Sequence, residues 1–298
     1  MPTPGEHKTV QARILHYAQE IGWSLVPREK TEARRGFDPE GATPEERARS
    51  ASVFFDDLLY AKVREFNPKY KDTPGALIGQ FHHLHADIHG NRDFLAYLRN
   101  TGKFFCAEEN RELDLTLVDY HHPEHNVYEV TEEFYWHNGH YGTREDVVFL
   151  INGIPVLVIE CKNANKDEAI ALGIDQIRRY HAETPELFVP EMIFSVTEAI
   201  GFAYGPTWNT LRRNIFNWKH EQVGNLEAKV KSFCAIPHVL KLLKDYIVFA
   251  EQEEELRKYI LRQHQTVGVE RVVQRALDPK LTRGLIWHTQ GSGKTYTM

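Results

Sequence analysis

Cysteine is scarce: Cys106, Cys161 and Cys234 are three in 298 residues, odd in number and widely spaced. That excludes a disulfide framework and a structural zinc site of the CxxC kind. Long apolar runs are also missing. No stretch approaches the roughly 18 consecutive apolar residues that cross a bilayer, and the opening Met1-Pro-Thr-Pro-Gly-Glu-His-Lys has no apolar core of a secretory signal. A cytoplasmic protein is expected. Basic residues are not in excess either, with 36 Lys and Arg against 42 Asp and Glu and a formal charge of −6. This argues against a small protein that coats DNA by charge alone. It leaves a nuclease open, because acidic metal ligands in a cleft can hold DNA with a few local cations. There are no internal repeats and no low-complexity tracts.

What is present is an ordinary globular balance of 42% hydrophobic and 26% charged residues. The apolar spacing predicts a helix over 7–23, with Val10, Ile14, Tyr17, Ala18 and Ile21 on one face and Gly22 ending it. Residues 28–50, charged and rich in Gly and Pro, read as a surface loop. Further helices are expected over 50–66 and within 73–101. From 103 onward the period falls to two, as in Leu113-Asp-Leu-Thr-Leu117, and antiparallel strands are expected. A helix over 166–182 and strands over 191–196 and 199–204 follow. Pro237 opens a predicted helix to 252, with a second, polar helix to 264. The expected organisation is a first domain over 1–235, a helical connector over 236–262, and the start of a motor domain over 263–298.

Two local patterns carry chemistry. At the end of the chain, Leu285-Ile286-Trp287 reads as a short strand leading into Gly291-Ser292-Gly293-Lys294-Thr295. This is a partial P-loop, since His288 stands where the strict pattern has glycine. Backbone N–H groups of such a turn cradle phosphates, Lys294 neutralises them, and Thr295 offers its hydroxyl to Mg²⁺. Only three residues follow Thr295, so the chain reads as part of a longer protein and is not expected to hydrolyse ATP by itself.

The second pattern is the hairpin Asp146-Val-Val-Phe-Leu-Ile151, Asn152-Gly153, Ile154-Pro-Val-Leu-Val-Ile-Glu-Cys-Lys162. Both strands are apolar on both faces and therefore central. Glu160 and Lys162, two apart, leave the same face of the second strand. A two-residue loop would pair Asp146 with Ile159 and put it on the face opposite Glu160. A three-residue loop with Gly153 left-handed would pair it with Val158 and bring Asp146, Glu160 and Lys162 to one face. The latter set is a hard-cation site suited to Mg²⁺ or Mn²⁺ and to phosphodiester hydrolysis. The alternative is a plain Glu160–Lys162 ion pair at a strand end.

Residues 143–163 resemble the nuclease core of the R subunit of type I restriction enzymes. Gln176-Ile-Arg-Arg-Tyr180 is similar to its QxxxY element, and Leu261-Arg-Gln-His-Gln265 with Trp287–Thr295 is similar to the start of its superfamily 2 motor. The resemblance runs from Glu20-Ile-Gly-Trp23 to the end. It implies an α/β PD-(D/E)xK fold, a mixed central sheet flanked by helices, followed by the start of a RecA-like domain. It also implies Mg²⁺-dependent cleavage of double-stranded DNA by Asp146, Glu160 and Lys162, with Asp146 and Glu160 holding the metal and Gln176 and Tyr180 near it. Gln265 would read adenine, and Gly291 to Thr295 would hold the phosphates of ATP. Modification and specificity subunits would be partners, although this chain lacks the regions that would bind them stably. One departure concerns the residue before the aspartate, usually proline and here Glu145. The runner-up is a P-loop ATPase fragment whose N-terminal domain only binds DNA or a partner. Of the histidines, His82, His85 and His89 at helical spacing read as an exposed polar face, and His121, His122 and His125 around Pro123 as a loop.

Overall fold

The computed structural model describes residues 6–163, 168–198, 200–221, 224–280 and 283–285. Helix α1 (Glu6–Glu20) buries Val10, Ile14, Leu15 and Ala18. Gly22, at φ 101°, ends it in the left-handed conformation that glycine tolerates best. A two-residue strand β1 (Ser24–Leu25) follows, and then α2 (Arg28–Arg34) and α3 (Pro44–Ala48) occupy the stretch expected to be a plain loop. Part of their charge is paired rather than merely solvated, which is why composition hid them. Glu32 is bonded by both Arg28 and Arg47, and Thr43 with Glu46 forms a capping box at the start of α3.

Helices α4 (Asp56–Phe66), α5 (Pro74–His82) and α6 (Ile88–Leu98) come next. The break between α5 and α6 is set by Asp87, whose carboxylate caps α6 by accepting from the backbone N–H of His89 and Gly90. His82, His85 and His89 therefore do not line one helix face, contrary to expectation. The hairpin β2 (Lys103–Cys106) and β3 (Arg111–Asp114) stands apart as a two-stranded sheet. The central sheet is built from β4 (Tyr128–His137), β5 (Gly142–Ile151), β6 (Ile154–Cys161), and, after helix α7 (Ala169–Glu183), β7 (Ile193–Thr197), β8 (Phe202–Pro206) and β9 (Phe216–Asn217). Its order is β1-β4-β5-β6-β7-β8-β9. Neighbours are antiparallel except β1–β4 and β6–β7, where α7 provides the crossover that a parallel pair requires. Every residue of β6 is buried, as its unbroken apolar pattern predicts for a strand covered on both faces.

Helices α8 (Leu226–Phe233) and α9 (Ile236–Lys241) follow. The helical connector is corrected here. Pro237 does open a helix, but that helix ends at Lys241, and after one irregular turn the chain forms the hairpin β10 (Ile247–Gln252) and β11 (Glu255–Ile260) before α10 (Gln263–Leu277). The β-branched and aromatic residues Ile247, Val248, Phe249, Tyr259 and Ile260 favour strand over the expected helix. The hairpin is tied to the core by Lys258, fully buried, whose ammonium donates to Asn91 Oδ1 at 2.6 Å, Met192 O at 2.8 Å and Thr207 Oγ1 at 2.8 Å. Asn91 in turn donates to the carbonyls of Phe188, Val189 and Glu191, and Thr207 to that of Glu191. One continuous hydrophobic core runs from Val10 to Leu261.

Stability should depend on pH through His181 on α7. Its ring is half-buried and stacks on Phe188, Nδ1 donates to Ile177 O, and Nε2 accepts from Trp208 N–H, an arrangement that only the neutral ring satisfies. Burial pushes its pKa down to about 4. Between that value and the unfolded value of about 6.5, the unfolded chain binds a proton that the folded one excludes. Stability is therefore whole above about pH 6.5 and falls as pH drops toward 4, by up to roughly 3 kcal/mol. Urea unfolding at about pH 7 and pH 5 should show a smaller drop for His181→Gln than for the parent, and equal drops would contradict the assignment.

Candidate active site

Asp146 and Glu160 meet because one strand of the hairpin has an extra residue. The turn has two residues, with Asn152 at φ 53° and Gly153 at φ 81°, and pairs Ile151 with Ile154 and Leu150 with Pro155. The register then shifts: Phe149 pairs with Leu157, Val148 with Val158 and Val147 with Ile159, leaving Val156 as a bulge. Continued by one residue, this register sets Asp146 opposite Glu160. Both loop alternatives read from the sequence are thereby corrected. The turn is the two-residue one, yet the carboxylates share a face. The signal was Pro155, which has no N–H to give to a ladder and sits within central strands chiefly at bulges.

The geometry around the pair is tight. Asp146 Oδ2 accepts from Cys161 N–H at 2.7 Å, and Gln11 donates to the Asp146 carbonyl at 2.9 Å. Lys162 continues the line of β6, donating its N–H to Thr197 O at 2.8 Å. Its ammonium lies 2.5 Å from Glu160 Oε1 and 2.6 Å from Gln176 Oε1. The plain Glu160–Lys162 ion pair is therefore present, but as part of a larger set. Gln176 and Tyr180, one turn apart on α7, complete it: Gln176 Nε2 donates to the Tyr180 hydroxyl, which donates to Arg144 O at 3.1 Å. Gly173 allows α7 this close, since a Cβ there would stand 2.3 Å from Val196 Cγ1 and 3.4 Å from Lys162 Cγ.

Glu160 is fully buried, and its second oxygen, Oε2, receives no donor. Burial, reinforced by the contacting Asp146 carboxylate, pushes its pKa well above the usual range, and Lys162 opposes this only in part. Two carboxylates in contact inside a protein repel each other, and one ammonium offsets that repulsion only in part. A cation held between them would relieve that repulsion. An all-oxygen donor pair with an unsatisfied oxygen fits a hard divalent ion such as Mg²⁺ or Mn²⁺.

Sequence reasoning missed other residues around Asp146. Gln11 falls inside the buried stripe of α1, one turn from Leu15, and also donates to Glu132 Oε2 at 3.2 Å. A polar residue in an apolar stripe was the available signal. Glu145, in place of proline, is fully buried against Glu191, with no donor to any of their four oxygens. The two carboxyls contact each other, and burial raises the pKa of both, Glu145 to about 7. Arg35 is the nearby cation. It is buried with its guanidinium 3.6 Å from the Phe134 ring centre, and burial lowers its pKa to about 9. Nothing local in the sequence announced this cluster.

The remaining predicted residues are not part of this set. Gln265 is buried near the start of α10, where Oε1 accepts from Arg262 N–H at 2.7 Å. Gly291, Ser292, Gly293, Lys294 and Thr295 lie outside the described residues. Of the two arginines between Gln176 and Tyr180, Arg178 is engaged with Asp175 and Thr210 O, and Arg179 pairs with Glu183. Cys161 is buried in the core.

The family model for the type I restriction enzyme R protein N terminus matches residues 4–212. The chain belongs to that family. A model of the SWI2/SNF2 ATPase matches residues 264–298. The chain is 31% identical over 224 residues to a Methanocaldococcus jannaschii protein provisionally assigned as a type I restriction enzyme endonuclease subunit, covering 69% of this chain and 20% of that protein. Another such M. jannaschii protein is 30% identical over 220 residues, 68% of this chain and 21% of its own. The type I restriction enzyme SsaAORF53P endonuclease subunit of Staphylococcus saprophyticus is 27% identical over 196 residues, 64% of this chain and 20% of its own. The chain thus spans about a fifth of the length of these relatives. In this member of the R protein N-terminal family, every residue of the D…ExK and QxxxY patterns lies in one hydrogen-bonded set.

The approach of α7 is testable apart from activity. Gly173→Ala forces the new methyl into Val196, and the overpacking should cost about 1–3 kcal/mol in urea unfolding while moving Gln176 off Lys162. An unchanged unfolding midpoint would show that α7 is not held this close.

Proposed function

We propose that this chain is the nuclease part of a type I restriction enzyme subunit, a Mg²⁺-dependent endonuclease that cleaves phosphodiester bonds of double-stranded DNA. The observation that carries the reading is the buried Asp146–Glu160 contact with one ammonium beside it. In this proposal Asp146 and Glu160 hold the metal, with Mn²⁺ able to replace Mg²⁺. When bound, the ion lowers the pKa of a water and offsets charge on the phosphate.

The chain's own residues have distinct tasks. Cys161 N–H fixes the Asp146 carboxylate through Oδ2. Gln11 holds the same residue by its carbonyl, so neither the backbone nor the side chain of Asp146 is free to turn. Lys162 spends two of its three ammonium hydrogens on Glu160 and Gln176. The third is left for a phosphate oxygen or the attacking water, which it orients and polarises. Gln176 and Tyr180 relay that placement to the backbone of β5 at Arg144. Buried walls on both sides keep bulk water from screening these charges.

The wider role is part of the same proposal. A complete subunit would continue beyond Gln265 and Gly291 to Thr295 into an ATP-driven motor and would assemble with modification and specificity subunits. Sequence choice on DNA would reside with those partners, and the assembly would work in the cytoplasm. Among the described residues no helix is long and apolar enough to cross a membrane.

The test is made in the full-length subunit assembled with its partners. Asp146→Ala, Glu160→Gln and Lys162→Ala should each lower DNA cleavage by about two orders of magnitude or more, with DNA-stimulated ATP hydrolysis kept. Cleavage undiminished in all three would remove the catalytic reading and favour a domain that only binds DNA or a partner.

A further inference from the structure

A second group of metal-type ligands lies outside the carboxylate site. Between β3 and β4, Pro123–His125 forms a single 3₁₀ turn that brings His122, Glu124 and His125 together. One ligand atom from each lies within 4.8 Å of the other two. His122 Nδ1 is 3.4 Å from Glu124 Oε1, and the rings of His122 and His125 are stacked with centroids 5.1 Å apart.

The turn is held by bonds that do not depend on these side chains. Asp119 Oδ1 accepts from the backbone N–H of His121 and His122. Asn126 exchanges bonds with Asp119 in both directions and donates to Pro123 O. It also accepts from Asn152 of the β5–β6 turn at 2.8 Å. Lys62 donates to His125 O at 2.6 Å, but its charge is paired with Glu65. His125 is further fixed by Asp119, with Nδ1 3.0 Å from Oδ2. A carboxylate behind one ring nitrogen sets the tautomer and leaves Nε2 as the ligating atom, the arrangement that recurs behind metal-bound histidines.

We propose that His122, Glu124 and His125 form a surface zinc site with Asp119 as the residue behind His125. Two imidazoles and one carboxylate suit Zn²⁺ and disfavour Mg²⁺, which takes oxygen ligands. Zinc bonds of about 2.0–2.1 Å need the three atoms to close by side-chain rotation only. Water completes the tetrahedron. The ion would brace the loop that grips Asn152, at the end of the hairpin away from Asp146. It does not depend on the nuclease reading, since no residue is common to the two.

The probe is Zn²⁺ alone, titrated calorimetrically into the 298-residue chain with excess Mg²⁺ present and followed by thermal unfolding. One zinc equivalent should bind and raise the midpoint of unfolding. Loss of that binding in His122→Ala with His125→Ala, and weakening by about tenfold in Asp119→Asn, is the expected result. Asp146→Ala with Glu160→Ala should retain the zinc, as should His82→Ala with His85→Ala. No zinc binding by the parent, or equal binding in the His122 and His125 double variant, would overturn the proposal. Loss in the Asp146 and Glu160 variant, if that variant stays folded, would place the zinc at the carboxylates and overturn it as well.

Discussion

One extra residue in β6 controls the site. If Val156 did not bulge, the two-residue turn at Asn152-Gly153 would set Asp146 against Ile159, and Asp146 and Glu160 would leave opposite faces of the sheet. The bulge moves the partner of Asp146 by one residue and converts two unrelated carboxylates into a contacting pair. The features around the pair respond to the charge it creates. Lys162 supplies one positive charge, the Cys161 N–H satisfies one oxygen, and the pressure on Glu160 to take a proton measures what is still unmet.

The hairpin turn is correspondingly rigid. Asn152 is fully buried and held by Val127, Leu117 and Asn126, and Phe55 N–H donates to Gly153 O. A Cβ at position 153 would stand 2.8 Å from Phe55 O, so the close approach demands glycine as much as the positive φ does. A turn fixed at both residues leaves the register of β5 and β6 no freedom to slip. The same logic extends outward: Lys258 anchors β11 to the loop at Glu191, whose carboxyl in turn contacts Glu145 next to Asp146. Buried polar contacts therefore run from β11 as far as Glu145, the neighbour of Asp146 in the chain.

How much of this was legible follows from range. Short-range signals worked: Gly22 ended α1, Asn152-Gly153 made the hairpin, and Gln176 with Tyr180 shared a helix face because four residues make about one turn. Central strands were readable because β5 and β6 are apolar on both faces. Long-range effects were not. Charged residues at 28–50 looked solvent-bound until Glu32 met Arg28 and Arg47. The sequence over 247–260 predicts helix because nothing nearby shows that the buried Lys258 must reach Asn91. The face of Asp146 was undecided by loop length alone, and Pro155, the residue that signals the bulge, reads in isolation as a mere interruption.

The central claim is that Asp146 and Glu160 together hold a divalent cation. Its most direct test is Mn²⁺ binding by calorimetry at neutral pH, in a His122→Ala, His125→Ala background so that no imidazole cluster competes. The chain with its carboxylates intact should bind one Mn²⁺, and Asp146→Ala with Glu160→Ala, confirmed as folded, should bind none. Equal binding with and without the two carboxylates would contradict the account.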